Sequence, residues 1–320
     1  MRAFVVTAIG GSDVLELQDV PEPVAQPGAL VVAVEAAGVN FRDVYERNGT
    51  YPTAPPFGAG AEGAGRVISA GDDVTEFAVG DRVVWSTAQG SYAEQVLVPA
   101  SAAVPVPAGV SGEMAAAVFL QGLTAHYLAT STYPVGAGDG VVVHAAAGGV
   151  GLLLTQVVKL LGGRVIATTS SDEKAALARG AGADEVIAYD GFAERVRELT
   201  NGDGATVVFD GVGQATFDDG LAALRRRGTM VLYGAASGPV PPVDPIRLQN
   251  RGSLYLTRPS LQHYIADRAE LLGRAEAVFG WIAAGRLDVR IGGRYALEDA
   301  RRAQDDLEAR RTTGKLVLLP

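Results

Sequence analysis

The sequence predicts an α/β protein in which a doubly wound parallel sheet is inserted into an all-β module. Three observations carry this. Residues 1–118 hold short alternating apolar runs broken by turn signals, the pattern of a compact β-module. From about Gly122, strand-like and helix-like runs alternate, which builds a mainly parallel sheet through right-handed crossovers. From Pro259 the pattern turns helical and closes on a strand, KLVLLP. That tail most simply returns to the first module, because strands for a β-module then lie on both sides of the insertion. The expected division is 1–121 completed by 258–320, with 122–257 as the inserted domain.

The elements follow in order. MRAFVVTAIGGSDVLELQDV has one basic residue and soon becomes acidic, so it reads as a strand and turn rather than a signal peptide. ALVVAVEAAGV, GAGRVISAG, DRVVWST and AEQVLVPA read as strands of the first module. The insertion runs GVVVHA then GVGLLLTQVVKLLG, RVIATT then SDEKAALARGAG, and EVIAYD then FAERVRELTNG. It continues with ATVVFDGVG, FDDGLAALRRRG, TMVLYG and GSLYLTR, making six strands in a βαβ series. Arg225, Arg226 and Arg227 are expected at a solvated helix C-terminus, where cations complement the dipole. RAELLGRAEAVFGWIAAG, RIGGRYAL, EDARRAQDDLEAR and KLVLLP complete the chain.

Composition narrows the function. At 320 residues the chain is long enough for two cores, and 48% hydrophobic with 20% charged residues is ordinary for a folded protein. No apolar window is long enough to span a bilayer, and the expected location is the cytoplasm. Zero cysteines exclude disulfides and thiolate metal sites together. A net charge of −9 with no basic stripe argues against a nucleic-acid partner.

The chemistry starts at Ala146-Ala147-Gly148-Gly149-Val150-Gly151. Aligned to the dinucleotide fingerprint it reads A-x-G-G-x-G, with Ala146 replacing the first glycine. The turn follows a strand and opens an apolar helix within a βαβ series, the context in which the motif has meaning. Gly148 leaves room for a pyrophosphate, and the N–H groups near Gly149 and Val150 face the anion at the positive end of the helix dipole. Gly151 lets the helix lie close on the sheet. The domain is therefore expected to be a Rossmann domain. A tight strand–helix turn with no ligand is the competing reading.

An NAD-type site carries an acidic residue at the end of the second strand, about 20 residues on. Here Thr168, Thr169, Ser170 and Ser171 stand there instead. Asp172 and Glu173 are better explained as first-turn residues of the next helix, with Ser171 as N-cap. Hydroxyls plus Lys174 suit a 2′-phosphate, and Tyr189 after the third strand adds a hydroxyl. The expected coenzyme is NADPH. A surface helix position is the competing account of Lys174.

With these residues in place, the chain resembles the quinone oxidoreductases of the zeta-crystallin type, in the zinc-free branch of the medium-chain dehydrogenase/reductase superfamily. The resemblance covers essentially the whole chain. It runs through AAGVNFRDVYERNGTYP, GAEGAGRVISAG, GDRV, HAAAGGVG, SSDEKAALARGAGADEVI, GTMVLYG, SGPVPPVDP, LTRPSLQHY and RRTTGKLVLLP. It implies a GroES-like β-barrel domain split around the Rossmann domain, an active site in the cleft between them, and a homodimer paired through late strands around GSLYLTR. Zinc relatives carry a cysteine where Asn40 stands and a histidine where Ala61 precedes Glu62, so both ligand positions have lost their chemistry. His126, His144 and His263 are scattered, and His144 reads as a core histidine.

Without a metal, the coenzyme carries the reaction and the protein supplies position and polarity. The resemblance makes Asn40, Tyr45, Tyr51 and Arg258 the candidates beside the substrate. Asn40 is also a candidate coenzyme contact, while Tyr45 and Tyr51 are candidate donors to a developing oxyanion. Half-exposed loop tyrosines and a structural arginine at a dimer edge are the competing readings. Thr124, Tyr127, Gly234, Ala235 and Ser237 are expected coenzyme contacts, with helix packing the alternative for Gln121, Thr124 and Tyr127. No residue stands out as an obligatory general acid.

The leading function is NADPH-dependent reduction of a quinone. An enoyl or 2-alkenal reductase acting on α,β-unsaturated carbonyls is the enzyme alternative. An NADPH-binding, crystallin-like structural protein or RNA-binding protein is the alternative of another class.

Overall fold

The computed structural model describes residues 1–320. Contacts divide the chain into two units, Met1–Leu120 with Val289–Pro320, and Gln121–Asp288.

The first unit is built on strands β1 (Arg2–Val6), β2 (Leu15–Asp19), β3 (Ala29–Val39), β4 (Phe57–Gly58), β5 (Glu62–Ala70), β6 (Arg82–Trp85), β7 (Gln95–Pro99) and β8 (Val104–Pro105). Helix α1 (Phe41–Arg47) follows β3, and α2 (Gly112–Tyr127) leads out of the unit. Strand β3 is the spine. It is the longest run of valine and alanine in the module, it is almost wholly buried, and β5 and β7 both pair with it antiparallel. A second sheet, in the order β2-β1-β4, packs its Phe4, Val6 and Leu15 into the same core as Val32, Trp85 and Tyr92.

The second unit holds β9 (Gly140–Val143), α3 (Gly149–Leu160), β10 (Arg164–Thr168), α4 (Asp172–Gly180), β11 (Glu185–Ile187), α5 (Phe192–Leu199), β12 (Ala205–Asp210), α6 (Phe217–Ala223), β13 (Leu224–Leu232), α7 (Ile246–Asn250), β14 (Tyr255–Thr257) and α8 (Arg268–Ala283). All six strands are parallel in the order β11-β10-β9-β12-β13-β14. The chain starts in the middle, winds outward one way, then returns and winds the other. The point of reversal lies between β9 and β12, where open α/β sheets bind ligands at the carboxyl ends of their strands. The sheet is apolar on both faces, as helix-covered parallel strands require: Val141, Val142, Val143 and the whole of β12 are buried.

The chain closes with β15 (Ile291–Ala296), α9 (Ala300–Glu308) and β16 (Lys315–Leu319). Strand β16 runs antiparallel to β3, with Leu316 opposite Val39. The tail thus returns to the first unit, but at Val289 rather than at 258. The reason is local bonding. Arg274 of α8 donates to the Tyr264 carbonyl at 2.8 Å, to the His126 ring at 3.0 Å and to Ser131 at 3.0 Å. Tyr264 also stacks on Tyr127 with ring centroids 4.4 Å apart. These bonds hold residues 258–288 to the end of α2 and so within the second unit.

The arginine triplet also differs from expectation. Helix α6 ends at Ala223, and Arg225, Arg226 and Arg227 belong to β13 rather than to a helix terminus. They lie where the ladder with β12 slips. Leu224 pairs with Ala205 and Thr229 with Val207, so β13 advances five residues while β12 advances two. Arg227 accommodates the excess with φ +57°.

Candidate functional site

In the second unit, β9 ends at Val143 and α3 begins at Gly149. Gly148 is the N-cap of α3 with φ −76° and ψ 171°, and no side chain caps the helix. The first amides of a helix have no intrahelical acceptor, so this end is open to an anion. A Cβ on Gly148 would meet only the Ala145 carbonyl, at 3.2 Å. That contact is tight but leaves the rest of the space around Gly148 open, which suits a ligand laid over the main chain. Gly151 is different. Its Cβ would stand 2.3 Å from the Ala145 carbonyl and 2.7 Å from the Ala146 Cα. That glycine seats α3 on the turn. The turn is held further by Ala145 at φ +51° and by the Ala146 amide donating to the Thr168 carbonyl at 3.2 Å.

Tyr189 touches this turn, and Ser170 and Lys174 stand at the end of the neighbouring strand β10. The Ala145 amide donates to the Tyr189 hydroxyl at 2.9 Å. At the end of β10, Ser171 caps α4 by accepting from the Lys174 amide, and the Lys174 ammonium reaches the Ser170 hydroxyl at 3.4 Å. Asp172 and Glu173 are first-turn residues of α4, which favours them electrostatically there. A cation and hydroxyls thus stand where a ribose-binding carboxylate would otherwise be. Ala147 is buried behind the turn, and Gln121 lies against Gly149.

Gly234, Ala235 and Ser237 follow the carboxyl end of β13. The Ser237 hydroxyl donates to the Val212 carbonyl at 2.8 Å and accepts from the Ala215 amide at 3.0 Å. The loop after β12 is ordered in turn by buried Asp210. Its carboxylate accepts from the Val212 and Gly213 amides and from the Thr216 hydroxyl, at 2.7, 3.0 and 2.8 Å. Thr124 and Tyr127 are both buried on α2, and Tyr127 contributes the stack on Tyr264. Arg258 is exposed just beyond β14. His144 is fully buried. Its Nδ1 hydrogen-bonds Thr168 at 2.8 Å, its ring meets Phe192 edge-on, and burial pulls its pKa down. It is a core histidine.

In the first unit, α1 carries Asn40 as N-cap and Tyr45 in its body, and the Tyr51 amide donates to the Tyr45 carbonyl at 2.8 Å. The Tyr45 and Tyr51 rings meet edge-to-face at 5.2 Å. Beside them lies a buried polar cluster that residue-by-residue reading missed. The Lys315 ammonium donates to the Glu62 carboxylate at 2.5 Å and to the Asn40 carbonyl oxygen at 2.7 Å. The Asn40 amide nitrogen donates to Glu62 at 2.9 Å and to the Gly38 carbonyl at 3.2 Å. The other Glu62 oxygen accepts from the Leu120 amide at 2.6 Å. Lys315 is 1% exposed and Glu62 0%. The Asn40 side chain is thus held from both ends.

A second buried carboxyl adjoins it. Asp43 accepts from the Asn40 backbone N–H at 2.8 Å and from the Tyr92 hydroxyl at 2.7 Å, while its other oxygen has no partner. Desolvation pushes the Asp43 pKa up to about 7 against the opposing pull of the Tyr92 hydrogen bond. It likewise holds Tyr92 well above the usual phenol range.

With this geometry in view, the comparisons with known proteins are specific. The family model described as the alcohol dehydrogenase GroES-like domain matches residues 26–108, and that described as zinc-binding dehydrogenase matches 149–272. A quinone oxidoreductase of Pseudomonas aeruginosa is 47% identical over 320 residues, covering 98% of each chain. The chain belongs to the quinone oxidoreductases of the medium-chain dehydrogenase/reductase superfamily. A mycobacterial member solved in complex with NADPH superimposes with a TM-score of 0.98 at 52% identity, covering all of both chains. A 2-haloacrylate reductase from a Burkholderia species is 38% identical over 330 residues, covering 100% of this chain and 99% of the relative.

Zinc appears in the description of one family model, and the first unit's residues do not fit it. Asn40 and Ala61 occupy the positions where the resemblance places the two ligands, and an amide and a methyl group are poor zinc donors. The Lys315 ammonium already sits against Glu62, so a divalent ion there would meet a positive charge. No helix is long and apolar enough to cross a membrane.

Proposed function

We propose that this protein is an NADPH:quinone reductase that works without a metal. The observation that carries the reading is full-length likeness to a quinone oxidoreductase, joined to an open glycine turn with Lys174 and Ser170 beside it. Bound NADPH supplies a hydride from its nicotinamide ring. The residues proposed to hold it are Ala147, Gly148, Gly149 and Val150 at the diphosphate, and Ser170, Lys174 and Tyr189 at the 2′-phosphate. Thr124, Tyr127, Gly234, Ala235 and Ser237 are proposed for the nicotinamide end.

Asn40, Tyr45, Tyr51 and Arg258 are proposed to face the acceptor, with Asn40 also touching the coenzyme. Asn40 is proposed to pack against the ring edge, because both of its side-chain N–H groups are already given to Glu62 and the Gly38 carbonyl. Tyr45, Tyr51 and Arg258 are proposed to orient an electron-poor ring and to offer hydrogen bonds to the oxygen that gains charge. Lys315 and Glu62 hold Asn40 in one amide orientation before any ligand arrives, which removes a reorganisation cost. The substrate is a small quinone, the partner a second copy joined through edge strand β14, and the setting the cytoplasm.

The relation to a 2-haloacrylate reductase supports a second reading, reduction of an activated carbon–carbon double bond. An acceptor panel under NADPH oxidation decides between them. Turnover of benzoquinones and naphthoquinones well above that of 2-alkenals and acrylates is expected. The reverse ranking would replace the quinone by an enone or acrylate.

A further inference from the structure

The arginine triplet finds no role in the chemistry above, yet the fold gathers it with other arginines. Arg225, Arg226, Arg227 and Arg251 line a hollow of about 800 Å³ together with Arg197, Asp203 and Tyr255. Arg197 is the floor. Its guanidinium donates to the carbonyls of Ala222, Gly202 and Leu224 at 2.8–3.1 Å and so fixes the backbone beneath. The other four are exposed and none is paired with a carboxylate. Asp203 is the one acidic residue on the wall.

The backbone concentrates these side chains at some strain. The slip between β12 and β13 extrudes Arg225–Gly228 from the ladder, and Arg227 adopts φ +57°. The Arg227 amide then donates to the Gly252 carbonyl at 2.8 Å, which ties the bulge to the loop that presents Arg251. Gly252 and Ser253 have φ +105° and +57°. A non-glycine residue held in the left-handed region, as Arg227 is, recurs at ligand sites. In a chain of net charge −9, four unpaired guanidinium groups in one hollow are a local reversal of sign.

The hollow is separate from the coenzyme turn. Its residues precede β12, β13 and β14, or open those strands, whereas Gly148 follows the carboxyl end of β9. In a parallel sheet these are opposite edges. We propose that this hollow is a second anion site, which takes a short polyphosphate chain, free or carried by a nucleotide.

The choice of ligand follows from donor number and shape. A guanidinium presents a fork that matches two phosphate oxygens. A single phosphate satisfies one or two forks, and four unpaired arginines suit two or three linked phosphates. Four guanidinium groups gathered at one hollow, unlike a basic stripe along a surface, suit a compact anion over a long nucleic acid. Tyr255 belongs to the edge strand β14 proposed to join two copies, whereas the arginines that carry the site lie outside it.

The test is calorimetric titration of the full chain, saturated with NADPH, with inorganic tripolyphosphate, ATP, orthophosphate and a single-stranded RNA oligomer. Tripolyphosphate is expected to bind saturably at one site, more tightly than orthophosphate and the RNA, and more weakly as salt is raised. The double charge reversal R226E/R251E is expected to weaken it by at least about tenfold and to leave NADPH oxidation unchanged, which also reports that the variant is folded. Equal binding of ATP and tripolyphosphate identifies a free chain as the ligand; tighter binding of ATP than of tripolyphosphate identifies a nucleotide. No saturable binding, tighter binding of RNA, or undiminished binding by R226E/R251E would each overturn the proposal.

Discussion

Replacing Lys315 by methionine tests the cluster that holds Asn40. The ammonium lies 2.5 Å from the Glu62 carboxylate, and both side chains are fully buried. At that separation the attraction is about 7 kcal/mol for an effective dielectric constant of about 20. Desolvating the two charges offsets much of it, so the pair's net worth is small. Its single-sided removal is not small. Lys315→Met leaves Glu62 charged, buried and supported only by the Asn40 amide and the Leu120 N–H. A loss of about 3–5 kcal/mol is expected. The double variant K315M/E62Q removes both charges and should recover a large part of that loss. Urea unfolding of the wild type, both single variants and the double variant gives the coupling energy directly. A second readout concerns Asn40, whose carbonyl oxygen loses its donor. Turnover with quinone at saturating NADPH should fall in K315M more than the Michaelis constant for NADPH rises. A coupling energy near zero, with K315M as stable as the wild type, would show that the two charges are not engaged as described.

Three further outcomes are expected. Asp43 titrates at about 7 in the native protein against an ordinary value of 3.8, because burial disfavours its charge. The native state then binds more protons than the unfolded state between those values, so stability falls as pH rises through the window, by at most about 4 kcal/mol. Asp43→Asn should lack that fall, and parallel stability profiles from pH 4 to 8 would contradict it. Gly151→Ala drives a methyl group into the Ala145 carbonyl and the Ala146 Cα. It should cost about 1–3 kcal/mol and weaken NADPH binding, measured by thermal melting with and without coenzyme. Lys174→Glu should raise the Michaelis constant for NADPH by about 10- to 100-fold, the worth of one charge-assisted hydrogen bond, and leave that for NADH nearly unchanged; equal effects on both would reject Lys174 as the 2′-phosphate ligand.

The glycine turn and the end of β10 were legible because each is local. Gly148, Gly149 and Gly151 lie within one turn, and Ser170, Ser171 and Lys174 lie within one strand end and the helix it feeds. Periodicity also found the six parallel strands, since each is a buried apolar run beside its own helix. The arginine triplet misled, because helix dipoles explain a basic run at a terminus and nothing nearby announces that β13 slips against β12. The tail misled in part for the same reason. The stack of Tyr264 on Tyr127 and the bonds of Arg274 join segments far apart in the chain.

What the order of residues determined alone is whatever spacing encodes: the βαβ series, the bare turn at Gly148, and hydroxyls with a lysine in place of a carboxylate. What only the tertiary structure decided is where lone charges find partners. Lys315 is one cation in an otherwise apolar closing strand, and Glu62 and Asn40 lie 253 and 275 residues before it. Antiparallel pairing of β16 with β3, and of β3 with β5, brings the three together. A buried charge is tolerable only beside an opposite one, and that proximity is a property of folded space that no spacing along the chain expresses.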